Sequence, residues 1–142
     1  MANINSSNWT QYFVNNNQNL MHVTWSESYE LTPQERETIQ ASLQQFQLGE
    51  SSEGKHFIKL AEEYVRQSDD TEYLDALQLF IKEEQRHSRD LGRFMQQQGI
   101  PLAQEHPVDG MFRFARHLMN LEVAIVVLLM AEVMAVTYYK AQ

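Results

Sequence analysis

The chain has 142 residues, of which 43% are hydrophobic, and this is enough for a single domain with a buried core. Its formal net charge of -8 argues against a protein that binds nucleic acid or an anionic membrane surface, because both need a basic face. The absence of cysteine excludes disulfides, thiolate catalysis and zinc–thiolate sites.

Neither a signal peptide nor a membrane span is predicted. Residues 1–20 contain no basic start followed by an apolar block. The most apolar stretch, residues 123–131, is much shorter than the roughly 20 residues that cross a bilayer, and Glu122 and Glu132 flank it. We therefore expect a cytoplasmic protein with no membrane contact.

Residues 1–31 form a distinct N-terminal segment. They are rich in Asn, Gln and Ser, carry scattered aromatic residues and show no hydrophobic period. We interpret this segment as an arm whose aromatic side chains rest on the apolar surface of a domain formed by residues 32–142, and partial disorder of the segment is the alternative.

The helical domain begins with a clear start signal. The sequence Thr32-Pro33-Gln34-Glu35 is typical of a capping box with Pro at the first helical position. Apolar residues then recur at helical spacing, which predicts a first long helix that ends near Gln67. A turn at residues 68–70 leads into a second long helix, which Gly99 and Pro101 stop.

A third helical pattern follows a connection over residues 100–109 and runs from Met111 to the end of the sequence. Its stripe, which has helical periodicity, consists of Leu118, Leu121, Ile125, Leu128, Glu132, Ala135 and Tyr139. No strand pattern is present. The sequence therefore predicts an all-α, ferritin-like up-down bundle of three long helices plus the arm.

Polar residues interrupt the apolar stripe of each long helix. Glu84 and His87 lie three residues apart in the second helix, so they share a face with the apolar residues around them. Glu50 holds an equivalent position in the first helix, and Glu132 does so in the third. Because a buried carboxylate without a partner is costly, we expect these groups to share a cation or a set of protons.

The heights of these residues along the helices support a common site. Glu50 precedes the turn at Ser68 by nearly the same stretch of sequence that separates this turn from His87. At about 1.5 Å per residue, an antiparallel helix pair brings both residues to nearly the same level, with Glu84 within one turn.

Some alternatives remain open at this point. Glu53 competes with Glu50 for the inward position, and Glu122 competes with Glu132, depending on where the third helix begins. Glu53 and His56 also have the Glu-x-x-His spacing. However, His56 lies roughly 120° from Glu50 around the helix, so we interpret it as a surface residue.

The order of these residues resembles the ferritin-like, di-iron carboxylate superfamily, which includes the rubrerythrins. That pattern has Glu on the first helix, Glu-x-x-His on the second, Glu on the third and Glu-x-x-His on a fourth. Glu50 is similar to the first element, Glu84 and His87 to the second, and Glu132 to the third. The resemblance covers residues 33–142, and the fourth element has no counterpart there.

The resemblance implies an iron-dependent oxidoreductase or ferroxidase-type protein. Glu84 would bridge two metal ions, Glu50 and His87 would be terminal ligands of one, and Glu132 would approach the other. Carboxylates with an imidazole suit iron, and manganese is possible. The substrate stays open among iron itself, peroxide and an organic small molecule. The alternative is a non-catalytic bundle that serves as an assembly or binding module without a complete di-metal site.

A further expectation concerns the oligomeric state. Three amphipathic helices without a fourth leave an apolar groove, and patches of that size commonly mark a contact surface. We expect a two-fold homodimer in which the third helix or the arm of one copy fills the groove of the other. In the competing hypothesis the arm fills the groove of its own chain and the protein is a monomer.

Overall fold

The computed structural model describes residues 5–20, 23–25, 30–51, 54–103 and 120–140 of the chain. All regular secondary structure in these ranges is helical, which confirms the predicted all-α class. The helices are α1 (Ser6–Gln18), α2 (Pro33–Glu50), α3 (Lys55–Gln67), α4 (Glu72–Gln97) and α5 (Leu121–Lys140). The finer, ferritin-like arrangement stays a prediction.

Helix α1 lies within the predicted arm, where the sequence showed no hydrophobic period. A reciprocal cap starts it: the Asn5 side chain accepts a hydrogen bond from the backbone N–H of Asn8, and the Asn8 side chain accepts one from the backbone N–H of Asn5. The helix packs along α4, where the ring centroids of Phe13 and Phe80 are 5.9 Å apart. The arm thus rests on an apolar surface of its own chain.

The prediction of one continuous first helix is wrong, because this part of the chain forms two helices, α2 and α3. Gly54 precedes α3 with a φ of 66°, in the left-handed region that favours glycine. It is buried against Ile81, and a Cβ atom at Gly54 would lie 2.5 Å from Ile81 Cδ1. Residues 49–56 contain no apolar residue, and the glycines and serines among them are typical of a helix break, but the helical spacing on both sides led to the prediction of one helix.

The predicted ends of the other helices agree with the structure. Thr32 and Glu35 form the capping box at the start of α2, with Thr32 N–H donating to Glu35 Oε2 at 2.8 Å. Gly99 follows α4 with a φ of 66°, and Ile100 N–H donates to the Met95 carbonyl oxygen at 2.8 Å.

Helix α4 lies at the centre of the packing. It contacts α1, α2 and α3, whereas α5 packs against α3. The apolar cluster of the described residues joins the middle of α2 to the last turns of α4 and consists of Leu31, Leu43, Met95 and Ile100, with Ile39, Leu91 and Phe94 around them. This cluster packs α2 against the C-terminal part of α4.

Helix α5 begins at Leu121, where the Asn120 side chain accepts a hydrogen bond from Val123 N–H at 3.0 Å. The predicted helix start at Met111 lies outside the described residues. None of the helices in the described ranges combines the length and apolarity that crossing a membrane requires.

Candidate metal centre

The four residues singled out from the sequence come from three helices. Glu50 is the last residue of α2, Glu84 and His87 lie in the middle of α4, and Glu132 lies in the second half of α5. All four side chains are partly buried, and the charge of each acts on the others. The folded chain therefore assembles them into one cluster of titratable groups.

Glu84 and His87 form the centre of this cluster. His87 Nδ1 lies 3.6 Å from Glu84 Oε1, and the Glu84 side chain is 14% exposed. The interaction with the Glu84 carboxylate raises the pKa of His87, partial burial lowers it, and the charge of Glu50 raises it further. The imidazole therefore carries a proton more readily than an isolated histidine.

Glu50 is the most strongly perturbed carboxyl group. Its pKa is raised from 4.5 to about 7, mostly by burial and also by the charges of Glu84 and Glu132, while the charge of His87 opposes the shift. Its Oε2 atom is buried and has no hydrogen-bond partner among the described residues. A carboxyl group in this position favours a proton, or a cation that would replace the proton.

Glu132 approaches the cluster from α5. Burial raises its pKa, and so does the charge of the nearby Glu84 carboxylate. Glu122, the alternative considered from the sequence, is exposed in the first turn of α5. The start of α5 at Leu121 thus places Glu132, and not Glu122, beside Glu84.

The other alternative left by the sequence was between Glu50 and Glu53. Glu53 lies outside the described residues. His56, interpreted above as a surface residue, is partly buried, and its Nε2 atom is fully shielded from solvent. The surface interpretation is therefore wrong, because α3 is a separate helix after Gly54 and its faces do not continue those of α2.

Sequence reasoning missed a group of polar residues that borders the cluster. The Arg86 guanidinium lies 3.3 Å from His87 Nε2 and 3.5 Å from Glu83 Oε1. Glu83 in turn accepts a hydrogen bond of 3.4 Å from the Asn16 side chain in α1. The spacing of Glu83 and Arg86 indicates their pairing, but nothing in the sequence places Asn16 beside them.

The types of donor atom in this cluster suit a transition metal, but their positions do not. Three carboxylates and one imidazole are typical ligands of iron and manganese, and the Glu50 oxygen without a partner fits a missing cation. Even so, no three His, Asp or Glu groups within the described ranges are positioned to hold one ion together. Binding would therefore require side-chain rotation.

Comparisons with known proteins do not identify a relative. The chain matches no protein-family model, no curated protein and no solved structure.

Proposed function

We propose that this chain binds iron, or manganese in its place, through Glu50, Glu84, His87 and Glu132, and serves as a ferroxidase-type or other iron-dependent oxidoreductase. The observation that carries the proposal is the Glu50 carboxyl, whose Oε2 atom is buried without a hydrogen-bond partner beside other carboxyl groups. A shared cation removes the cost of crowding several carboxylates into a partly buried site.

The positions of the residues suggest their roles. Glu84 is the neighbour of both His87 and Glu132, which is where a bridging carboxylate belongs. Glu50 and His87 would be the terminal ligands on one side, and Glu132 the ligand on the other. Iron in such a site supplies electron transfer to oxygen or peroxide. Burial of Glu50 and Glu132 keeps their charge unfavourable until a cation arrives.

Metal titration with a matched pair of variants tests the proposal. Isothermal calorimetry with Mn(II), and anaerobic titration with Fe(II), should show binding by the unaltered chain at micromolar concentration. Glu132→Gln should weaken binding at least tenfold, whereas Glu122→Gln should leave it unchanged because Glu122 is exposed on the same helix. His87→Ala should strongly reduce the bound iron. Equal affinities of the Glu132 and Glu122 variants would remove Glu132 from the site.

The second candidate function is a non-catalytic assembly or binding module. It is favoured by the fact that no three ligand groups converge on one point within the described ranges. This candidate predicts no saturable binding of Fe(II) or Mn(II). Oxidation of bound Fe(II) by O2, followed by absorbance in the near ultraviolet, would instead support the oxidoreductase.

A further inference from the structure

Helix α5 is the most apolar of the described helices, yet most of its described side chains face solvent. Ala124 is 1% exposed, and Leu128 is partly buried. Several large apolar residues are 36–61% exposed, namely Val123, Ile125, Val126, Leu129, Met130, Val133 and Val136. A helix that is apolar on all sides is normally buried on all sides, so this face requires a cover.

The exposed residues lie on one continuous face. At about 100° per residue, they fall on the side of α5 opposite Ala124. Leu128 and Glu132 of the stripe predicted from the sequence are partly buried, whereas Ile125 of that stripe lies at the edge of the exposed face. Val123, Val126, Met130 and Val133 follow one another at alternating spacings of three and four positions. This spacing is that of the contact seam between two long helices packed nearly in line.

The charges at the two ends of the face indicate which helix would fit. Glu122 and Lys140 occupy the first and last turns of α5, about five helical turns apart, so both positions lie on the same line of the helix. No other charged residue occurs on this line between them. In an antiparallel pair of α5 helices, each Glu122 would lie beside the end of the partner helix that carries Lys140. Within one helix, Glu122 and Lys140 are about 27 Å apart.

We propose that α5 forms an antiparallel two-fold interface with α5 of a second copy of this chain, with the axis next to Met130. Side chains exposed to this degree present on the order of 600 Å² of apolar surface per copy, which is as much as the largest patch on a typical monomer. Two such faces together reach the roughly 1,200 Å² that specific interfaces bury. The antiparallel arrangement also opposes the two helix dipoles. The interface is independent of metal binding.

The first test is the mass of the unaltered chain in solution. Sedimentation at micromolar concentration should give twice the chain mass of 16.7 kDa. Val133→Glu places a charge near the centre of the face and should yield the monomer with unchanged helix content. Val23→Glu is the matched control, because Val23 is 47% exposed outside the face, and it should stay dimeric. A monomeric unaltered chain would overturn the proposal and indicate a cover from within the chain.

The direction of pairing is tested by cross-linking, which the absence of cysteine in the chain makes specific. With a short bis-maleimide, Met130→Cys should give covalent dimers because the two copies meet at the axis. Glu122→Cys should not, because the two Glu122 positions lie at opposite ends of the interface. Efficient cross-linking of Glu122→Cys would indicate a parallel pair and contradict the antiparallel model.

Charge reversal at the ends of α5 is a test that leaves the apolar face of the helix unchanged. Glu122→Lys and Lys140→Glu should each weaken the dimer about two- to fivefold, as expected for exposed ion pairs. The double variant should restore the affinity of the unaltered chain. Additive weakening in the double variant would show that the two residues do not face each other.

Discussion

His87 lies one helical turn after Glu84 on α4, and its Nδ1 atom is 3.6 Å from Glu84 Oε1. This distance exceeds that of an ordinary hydrogen bond, so the pair interacts mainly through charge. The Glu84 carboxylate raises the pKa of His87, and burial raises the pKa of Glu50 and of Glu132. All three groups therefore favour their protonated forms more than the isolated groups do, and a bound cation would compete with protons for them.

The first prediction concerns stability against pH. The pKa of Glu50 rises from 4.5 to about 7 on folding, so the folded chain keeps a proton that the unfolded chain has lost between these values. Stability of the metal-free chain should therefore fall as pH rises from about 4.5 and level off above about 7. The raised pKa of His87 acts in the same direction, because its contribution is lost as pH rises through the folded value.

Glu50→Gln should remove most of this slope and stabilise the chain at pH 8 by about 1–2 kcal/mol, after allowance for solvent screening. Urea unfolding followed by circular dichroism, in the presence of a chelator, measures the effect. Glu122→Gln is the control, since Glu122 is exposed, and it should keep the slope of the unaltered chain. Identical slopes for the Glu50 variant and the unaltered chain would contradict the assignment.

The second prediction concerns proton release on metal binding. If Glu50 and Glu132 bind a cation, they must first give up the protons that their raised pKa values retain. Calorimetric titration with Mn(II) in buffers of different ionisation enthalpy should show about one or more protons released per site at pH 6. Fewer should be released at pH 8. Metal binding without proton release at pH 6 would place the ion elsewhere on the chain.

The third prediction uses the two glycines that flank the break between α2 and α3. Gly54→Ala combines a left-handed φ with a Cβ atom 2.5 Å from Ile81 Cδ1, and should destabilise the chain by at least about 1–2 kcal/mol. Gly49 is helical, and a Cβ there meets nothing within 4 Å. Gly49→Ala should therefore stabilise by about 0.5–1 kcal/mol. Thermal unfolding compares the two variants directly, and shifts of the same sign would refute the structural difference.

The fourth prediction concerns the junction between the arm and the domain. The buried Gln98 side chain accepts a hydrogen bond of 2.8 Å from the backbone N–H of Leu31. Gln98→Ala leaves that N–H without its partner and should cost about 1–3 kcal/mol of unfolding free energy. Gln96→Ala, at an exposed position of α4, should change stability by less than about 0.5 kcal/mol. Denaturant unfolding of both variants measures the difference, and equal losses would show that the Leu31 contact contributes nothing.

The sequence alone determined the features that depend on nearby residues. The capping box at Thr32 and the stop at Gly99 arise from local hydrogen bonds and backbone angles, so their residues suffice to predict them. The shared face of Glu84 and His87 follows from the helical repeat in the same way. The level of Glu50 was calculated for one continuous helix, and Glu50 does interact with Glu84 and His87 although that helix is divided into α2 and α3.

The tertiary structure decided the features that depend on distant contacts. Gly54 interrupts the long helix where Ile81, from the separate helix α4, packs against it, and the sequence around Gly54 does not predict this contact. The start of α5 at Leu121 decided between Glu132 and Glu122, since the sequence pattern fits either register. Asn16 reaches Glu83 because α1 docks on α4, although its own segment has no hydrophobic period. Periodicity identifies which residues share a face, but the packing of separate helices decides which faces meet.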